Sequence, residues 1–324
     1  MNRGIGLAFS IGVLLAAAYA FAPRPAPTFP AHQTAVNSLL LLGAAQAGQR
    51  LVAVGERGHI VLSDDAGKSW RTVTSPTQAT LTALYFHDAK TGWAVGHDSV
   101  ILKTEDGGST WRLVHNTPEL NKPLLDVWFR DAHQGFALGA YGLFLTTLDG
   151  GASWLPRKIA EGDPHLNALA AQPDGSLFIA GEAGVLFRSV DHGQTWQALH
   201  SPYQGSFFGL LALRDGGLLA YGIRGKIYRS ADAGETWAAI ETSNEAALMG
   251  GFATPDGQVL LAGQRGTVLQ SHDQGLSFRA YFHPARKFVA TLRPGTKSSL
   301  WLFGESGVTA FTLGDSAQGT THAP

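Results

Sequence analysis

Short hydrophobic runs alternate with polar turns along almost the whole chain. Segments such as 81–86 and 92–96 are apolar or alternate apolar with small residues. Between them lie clusters of Gly, Asp, Ser and Pro, for example Pro173-Asp174-Gly175 and Pro255-Asp256-Gly257. This pattern is typical of short β-strands separated by tight turns. The sequence therefore predicts an all-β protein.

Two motifs repeat along the chain. The pattern S/T-x-D-x-G-x-S/T-W/F occurs six times, with its aspartates 41 to 43 residues apart. A G-x-x-G element occurs seven times, although Ser99 replaces the second glycine of one copy. The repeated aspartates are Asp65, Asp106, Asp149, Asp191, Asp232 and Asp273, and the first glycines are Gly55, Gly96, Gly139, Gly181, Gly222, Gly263 and Gly304. A period of this length indicates a repeat architecture.

Each repeat has room for four strands. In the second unit we predict strands over 81–86, 92–96, 100–104 and 110–114. Seven such units predict a seven-bladed β-propeller of four-stranded blades. A linear solenoid is the alternative, but the incomplete last unit favours a closed ring. We expect Thr28 to Val36 to supply the outer strand of the blade that contains Gly304.

The six motif aspartates are predicted to be structural. Each can accept hydrogen bonds from the backbone of its own turn, in the hairpin between the third and fourth strands. The aromatic residue that ends the motif is expected to pack between blades. Six carboxylates spread around a ring cannot converge on one point, so we reject a catalytic or calcium-binding interpretation.

Composition narrows the function classes. The chain has 324 residues, with 24 Lys and Arg against 25 Asp and Glu, so it lacks the basic excess of a nucleic-acid binder. It has no cysteine, which excludes disulfides, thiolate metal sites and a cysteine nucleophile. The histidines lack ligand spacing and no phosphate-binding loop occurs, so no metal or cofactor is expected.

The first 22 residues resemble an export signal. Arg3 precedes an uncharged run from Gly4 to Ala22, and Ala18-Tyr19-Ala20 fits a cleavage site. The run is also long enough for an uncleaved membrane anchor. We predict a proline-rich spacer at 23–29, the propeller at 30–315 and a flexible tail at 316–324. The protein is expected to be exported, to the periplasm in a Gram-negative host.

The repeated motif resembles the Asp-box, or BNR repeat, of sialidases and other propellers. With the preceding G-x-x-G element, the copy Thr104-Glu105-Asp106-Gly107-Gly108-Ser109-Thr110-Trp111 resembles the photosystem II assembly and stability factor family over about residues 30–315. That resemblance implies an exported, non-catalytic seven-bladed propeller that binds membrane-protein subunits during assembly. Members from bacteria without a photosystem imply a second possibility, an accessory protein of a resistance-nodulation-division exporter.

A group of cations is predicted to lie on one face, where the turns after the second strands meet the links between blades. Arginine suits bidentate capture of carboxylates. The expected partner is an integral membrane protein or its acidic or C-terminal segment, bound by a monomer. We call the following residues the basic sector: Arg57, His59, Arg224, Lys226, Arg265, Arg286 and Lys287. Arg279 and His283 lie in the link before blade seven, and the link residues Tyr203, Phe207, Phe208, Tyr281 and Phe282 could add apolar anchors or pack beneath the next blade.

Two other functions remain open. A glycoside hydrolase needs two carboxylates about 5–10 Å apart. Glu56 and Glu305 are the best candidates, and Glu182 occupies the same repeat position, but all three can be plain turn residues. The Phe-Arg-Ile-Pro segment of sialidases does not occur, so we expect no enzyme. The remaining possibility is a small-ligand binder that uses the central channel.

Overall fold

The computed structural model describes residues 35–295 and 299–314, and these form a seven-bladed β-propeller. Blades one to six are antiparallel sheets of four strands, and blade seven has three strands among the described residues. Apart from strands, these residues form only short 3-10 helices. The predicted fold class is therefore confirmed.

The strands follow one another in chain order within each blade. Blades one to four contain β1 (Leu41–Ala47), β2 (Arg50–Gly55), β3 (Ile60–Ser63), β4 (Arg71–Val73), β5 (Leu81–Phe86), β6 (Gly92–Gly96), β7 (Ile101–Thr104), β8 (Arg112–His115), β9 (Leu124–Phe129), β10 (Gly135–Gly139), β11 (Phe144–Thr147), β12 (Leu155–Pro156), β13 (Leu166–Ala171), β14 (Leu177–Gly181), β15 (Leu186–Ser189) and β16 (Gln197–Ala198). Blades five to seven contain β17 (Phe207–Ala212), β18 (Leu218–Gly222), β19 (Ile227–Ser230), β20 (Ala238–Ile240), β21 (Leu248–Ala253), β22 (Val259–Gly263), β23 (Thr267–Ser271), β24 (Arg279–Phe282), β25 (Val289–Pro294), β26 (Ser299–Gly304) and β27 (Gly307–Thr312). The 3-10 helices are Val36–Ser38, Glu56–Gly58, His97–Ser99, Pro118–Leu120, Glu182–Gly184, Ile223–Gly225 and Gln264–Gly266.

The ring is closed at its centre. The first strand of each blade contacts the first strand of the next, and β25 of blade seven contacts β1 of blade one. These seven strands surround a central channel. The solenoid alternative is therefore wrong, because its terminal repeats would not meet.

Several predicted segments lie wholly or partly outside the described residues. These are the export segment 1–22, the spacer 23–29, most of the closing strand 28–36 and the tail 316–324. The described end of the closing segment, the 3-10 helix Val36–Ser38, lies against blade seven, where a Cβ on Gly307 would come within 1.7 Å of the Val36 carbonyl oxygen. Among the residues that the structure describes, no helix is long and apolar enough to span a membrane.

The Asp-box hairpins join the third and fourth strands, as predicted. In blade one, the Asp65 carboxylate accepts hydrogen bonds from the Ser69 backbone N–H at 2.9 Å and the Ser69 hydroxyl at 2.6 Å. The same two bonds recur at Asp106, Asp149, Asp191, Asp232 and Asp273. The hydroxyl of Ser69 is the main reason that the pKa of Asp65 falls to about 2. The six aspartates therefore fix hairpins.

The aromatic residue of the motif packs between blades, as predicted. Trp111 of blade two lies in one hydrophobic cluster with Val52 and Val54 of blade one, and its indole N–H donates to the Gly108 carbonyl at 3.0 Å. The indole N–H groups of Trp154 and Trp196 are buried without a partner in the described part of the chain. Burial between blades is therefore the shared role of these rings, and the hydrogen bond is not.

Blade two shows how closely the pattern predicts strand ends. Its first two strands match the prediction, and its third begins one residue later, at Ile101. The fourth strand begins at Arg112 rather than at Thr110. The reason is that the Thr110 N–H and hydroxyl both donate to Asp106, which holds Thr110 in the hairpin and out of the sheet ladder.

Candidate functional site

Six blades carry the same strained turn after their second strand. The third residue of each G-x-x-G element has a positive φ, between 51° and 59°. This left-handed conformation is unfavourable for residues other than glycine. The six residues are Arg57, Asp98, Tyr141, Ala183, Arg224 and Arg265. The backbone therefore places one non-glycine residue at this position, the outward turn position, on each of blades one to six. Five of these side chains are exposed, and that of Asp98 is half-buried.

The links between blades lie against these turns. The His283 N–H donates to the Gly266 carbonyl at 2.8 Å, so the link before blade seven lies beside the turn of blade six. A Cβ on Gly225 would lie 2.2 Å from the Asn244 carbonyl oxygen in the link before blade six. Glycine is needed there because the link backbone approaches so closely. Turns and links therefore share one face of the ring, as predicted.

The structure brings the basic sector together on this face. Arg57, Arg224 and Arg265 occupy the left-handed turn position of blades one, five and six. The sector residues are exposed except for His59, which is half-buried: Arg57, Arg224, Lys226, Arg265, Arg286 and Lys287. Since blades five, six, seven and one are consecutive in the closed ring, these cations form one arc.

The cations of the basic sector form no ion pairs with the acidic residues that the structure describes. None of the ion pairs within residues 35–295 and 299–314 involves them. Cations elsewhere are paired, as Arg188 is with Glu235 at 2.8 Å. Arg286 instead lies over the Phe282 ring at 4.3 Å. The arc therefore presents exposed cations that form no ion pairs in the described part of the chain, which favours binding of anions.

One cavity of the arc has mixed charge. It has a volume of about 550 Å³ and lies between the turn of blade five and the following link. Arg224 and Lys226 line one side, and Glu241 and Glu245 come from the link. Burial lowers the pKa of His283 in the next link, so that residue adds little charge at neutral pH. The positive charge of the arc therefore comes mainly from its Arg and Lys residues.

The other half of the face differs. On blades two, three and four the outward turn position holds Asp98, Tyr141 and Ala183. Tyr141 is 52% exposed, and its ring packs edge-on against His165 at 4.7 Å. Arginine is therefore confined to one arc, although all six turns share one backbone geometry.

The three glutamates at the first turn position have a structural role. The carboxylates of Glu56, Glu182 and Glu305 accept the backbone N–H of Leu40, His165 and Phe288, at 3.3 to 3.4 Å. Each of these N–H groups belongs to the residue immediately before the first strand of the same blade. The shared repeat position is therefore explained by blade folding, without a catalytic pair.

The link aromatics mostly pack inside the blades. Phe207 and Tyr281 are 0% and 5% exposed. Tyr203 is half-buried and stacks on Tyr228 with 5.6 Å between ring centroids. Phe208 lines the central channel, and Phe282 lies beneath Arg286. The alternative of packing beneath the next blade is therefore the better account of Phe207 and Tyr281.

Sequence reasoning did not single out three polar residues of the central channel. Asp126, Tyr221 and Arg293 line one cavity there. Burial raises the pKa of Asp126 to about 6, and burial lowers the pKa of Arg293 to about 10. The available signal was a charged residue inside an apolar first strand, as in Leu124-Leu125-Asp126-Val127. These residues do not belong to either repeated motif, so the repeat could not reveal them.

Comparisons with known proteins agree with this architecture. The profile of the family described as "Photosynthesis system II assembly factor YCF48" matches residues 62–122 and 115–316. The photosystem II assembly protein Ycf48 of Thermosynechococcus vestitus is 41% identical over 135 residues, which are 40% of this chain and 38% of that protein. The match thus spans well under half of this relative's length.

Two solved structures share the fold. A structure of YCF48 bound to a D1 peptide superimposes with a TM-score of 0.70 at 20% identity, covering 86% of this chain and 95% of that chain. The virginiamycin B lyase of Staphylococcus aureus superimposes with a TM-score of 0.72 at 13% identity, covering 87% of this chain and 97% of that chain. At such identities the likeness concerns the fold alone.

Proposed function

The chain belongs to the photosynthesis system II assembly factor YCF48 family, and we propose that it is an exported, non-catalytic scaffold that binds a membrane-protein partner. The proposal places binding at the basic sector and export to the periplasm through residues 1–22. Family membership supports an assembly role, and the structural account of Glu56, Glu182 and Glu305 removes the main argument for a glycosidase.

One observation carries the proposal. Arg57, Arg224 and Arg265 occupy left-handed turn positions, are exposed and have no acidic partner in the described part of the chain. Backbone strain at surface positions is often retained for function. Arginine binds carboxylates through two parallel hydrogen bonds. The surface therefore suits a carboxylate-rich partner better than an apolar one.

The partner that fits this arc is an acidic or C-terminal segment of an integral membrane protein. The related YCF48 structure was solved with a D1 peptide, which supports a peptide segment as the ligand. In a photosynthetic host the partner would be a photosystem II subunit. In another host, the candidate partner is an exporter subunit of the resistance-nodulation-division class.

Peptide binding tests the proposal directly. The probe is a synthetic peptide with several acidic side chains and a free C-terminus, titrated by fluorescence anisotropy at low and high salt. We expect the Arg224→Glu/Arg265→Glu double variant to weaken binding at least about tenfold, since charge-assisted hydrogen bonds contribute about 1.5–3 kcal/mol each. Added salt should weaken wild-type binding as well.

A matched control separates specific binding from net charge. Lys68 and Arg71 are exposed on the Asp-box side of blade one, so Lys68→Glu/Arg71→Glu makes the same charge change on the other face. This control should bind the peptide like the wild type. Equal loss in both double variants, or undiminished capture of membrane partners by the folded Arg224→Glu/Arg265→Glu variant, would show that the basic sector is not the binding surface.

A further inference from the structure

The central channel contains a small cavity with opposite charges. Its volume is about 210 Å³, and it is lined by the first strands of the blades together with Tyr221 of β18. Asp126 lies on β9 of blade three and Arg293 on β25 of blade seven. Sites for drug-sized ligands measure about 300–1,000 Å³, so this cavity suits a smaller molecule.

The strand register shows why the cavity exists. The first strands align at the residues that pair with the first glycine of each G-x-x-G element. Two residues further along, Asp126 shares a level with six residues that are small or medium in size: Gly43, Ala83, Ala168, Gly209, Gly250 and Thr291. The channel is therefore wide around the Asp126 carboxylate, because the six residues that align with Asp126 have small or medium side chains.

The Tyr221 hydroxyl reaches into this space without a partner. Tyr221 is 3% exposed, and its hydroxyl makes no hydrogen bond within the described residues. A Cβ on Gly209 would lie 2.2 Å from the hydroxyl oxygen, and one on Gly251 would lie 2.8 Å from it. Two glycines therefore make room for this hydroxyl beside the cavity, where it can donate a hydrogen bond to a ligand.

The two charges of the cavity do not neutralise each other. The Asp126 carboxylate accepts the Leu169 and Val127 N–H groups, each at 2.8 Å. The Arg293 guanidinium donates to Thr291 Oγ1, to the Leu292 carbonyl and to the Ala44 carbonyl. No ion pair joins Asp126 to Arg293 in the described part of the chain. Each charge is thus bonded to uncharged groups. The Asp126 carboxylate can still accept further hydrogen bonds, and the Arg293 guanidinium can still donate them.

We propose that the channel cavity binds a small organic zwitterion, with its cationic end at Asp126 and its carboxylate at Arg293 and the Tyr221 hydroxyl. The level of Arg293 is two residues from that of Asp126, or about 7 Å along a strand. A simple cation would compensate only Asp126, and a simple anion would be repelled by it. A zwitterion compensates both half-buried charges and changes the net charge of the cavity by zero.

Ligand titrations test this site independently of the basic sector. The probes are glycine, L-alanine and glycine betaine, with acetate and ethylammonium as single-charge comparators, measured by calorimetry and by thermal unfolding. At least one zwitterion should bind and raise the unfolding temperature. Tyr221→Phe should weaken its binding about fivefold, as expected for one hydrogen bond. Asp126→Asn should weaken it at least about tenfold.

Tyr141→Phe is the matched control, because it removes the same hydroxyl from an exposed ring on the turn face. It should leave zwitterion binding unchanged. The proposal is wrong if the folded wild type binds none of the three zwitterions, or if acetate or ethylammonium alone binds as tightly. Unchanged affinity in Tyr221→Phe also contradicts it, and this variant decides the matter if Asp126→Asn does not fold.

Discussion

Trp70 of blade one packs edge-on against Trp301 of blade seven, with 6.4 Å between ring centroids and an angle of 75° between ring planes. Phe303 joins the same cluster, 5.7 Å from Trp70, and is fully buried. At the other blade junctions a chain link runs from the last strand of one blade to the first strand of the next. The described strands of blade seven reach blade one through packing of this kind and through hydrogen bonds such as that from the Trp301 indole N–H to the Ala66 carbonyl, at 3.1 Å.

Truncating Phe303 should weaken the contact between blades seven and one more than the contacts at the other blade junctions. Phe303→Ala should destabilise the protein by about 3–5 kcal/mol, the usual cost of truncating a buried phenylalanine. Hydrogen exchange should accelerate selectively in β1 and β27. Phe178→Ala is the matched control, since Phe178 is equally buried at a junction with a chain link. If exchange accelerates to a similar extent throughout both variants, the junction between blades seven and one is not the weakest one.

The left-handed arginines should cost stability. Arg224→Asn is expected to stabilise the fold by up to about 1 kcal/mol, because Asn tolerates a φ of 57° better than Arg does. Chemical denaturation measures the gain, and peptide titration should show weaker binding in the same variant. Arg224→Ala removes the cation without relieving the backbone, so it should weaken binding with no gain in stability. A less stable Asn variant would mean that the guanidinium makes stabilising contacts.

The Asp-box hairpins predict acid sensitivity. Hydroxyl hydrogen bonds, first from Ser69, Ser153 and Thr236, lower the pKa values of Asp65, Asp149 and Asp232 to about 2. Their folded pKa lies below the unfolded value of about 3.9. Their stabilisation is therefore present above about pH 4 and is lost as the pH falls towards 2. Thermal unfolding from pH 7 to pH 2 should show a falling midpoint in that window, less steeply in Asp149→Asn. A flat profile would contradict this role.

Asp126 predicts the opposite dependence in a higher pH window. Burial raises its pKa to about 6, above the unfolded value of about 3.9. The folded state therefore holds a proton that the unfolded state has released, and this contribution to stability is lost as the pH rises from about 4 through 6. The loss should be on the order of 1–3 kcal/mol. Carboxyl NMR should show a midpoint near pH 6 for Asp126, and Asp126→Asn should remove the slope. A midpoint near 4 would indicate a well-hydrated channel.

Much of the fold followed from local sequence. The motif that ends in Trp111 predicted a hairpin, because its hydroxyls and carboxylate bond within a few residues of each other. The basic sector was also predicted, since Arg224 and Arg265 occupy the same repeat position. In a repeat protein, the place of a residue within its repeat predicts its place within the blade, and the number of the repeat predicts the blade.

The channel site could not be predicted in this way. Arg293 donates to the carbonyl of Ala44, 249 residues away, and this pairing depends on ring closure. Tyr221 reaches the channel from a second strand because Gly209 and Gly251 leave space, which no periodicity encodes. The left-handed conformation of Arg57 was also not predicted from the sequence. Arginine normally avoids positive φ, and the neighbouring Gly58 is the residue expected to adopt it.

The outward turn position separates folding from recognition. Five of its six side chains are exposed and that of Asp98 is half-buried, while neighbouring glycines and strands carry the packing. Substitutions at this position can change the charge and polarity of the turn face on one blade at a time, without repacking the interior. A few substitutions at these exposed positions can therefore change the binding partner of such a propeller while its fold is retained.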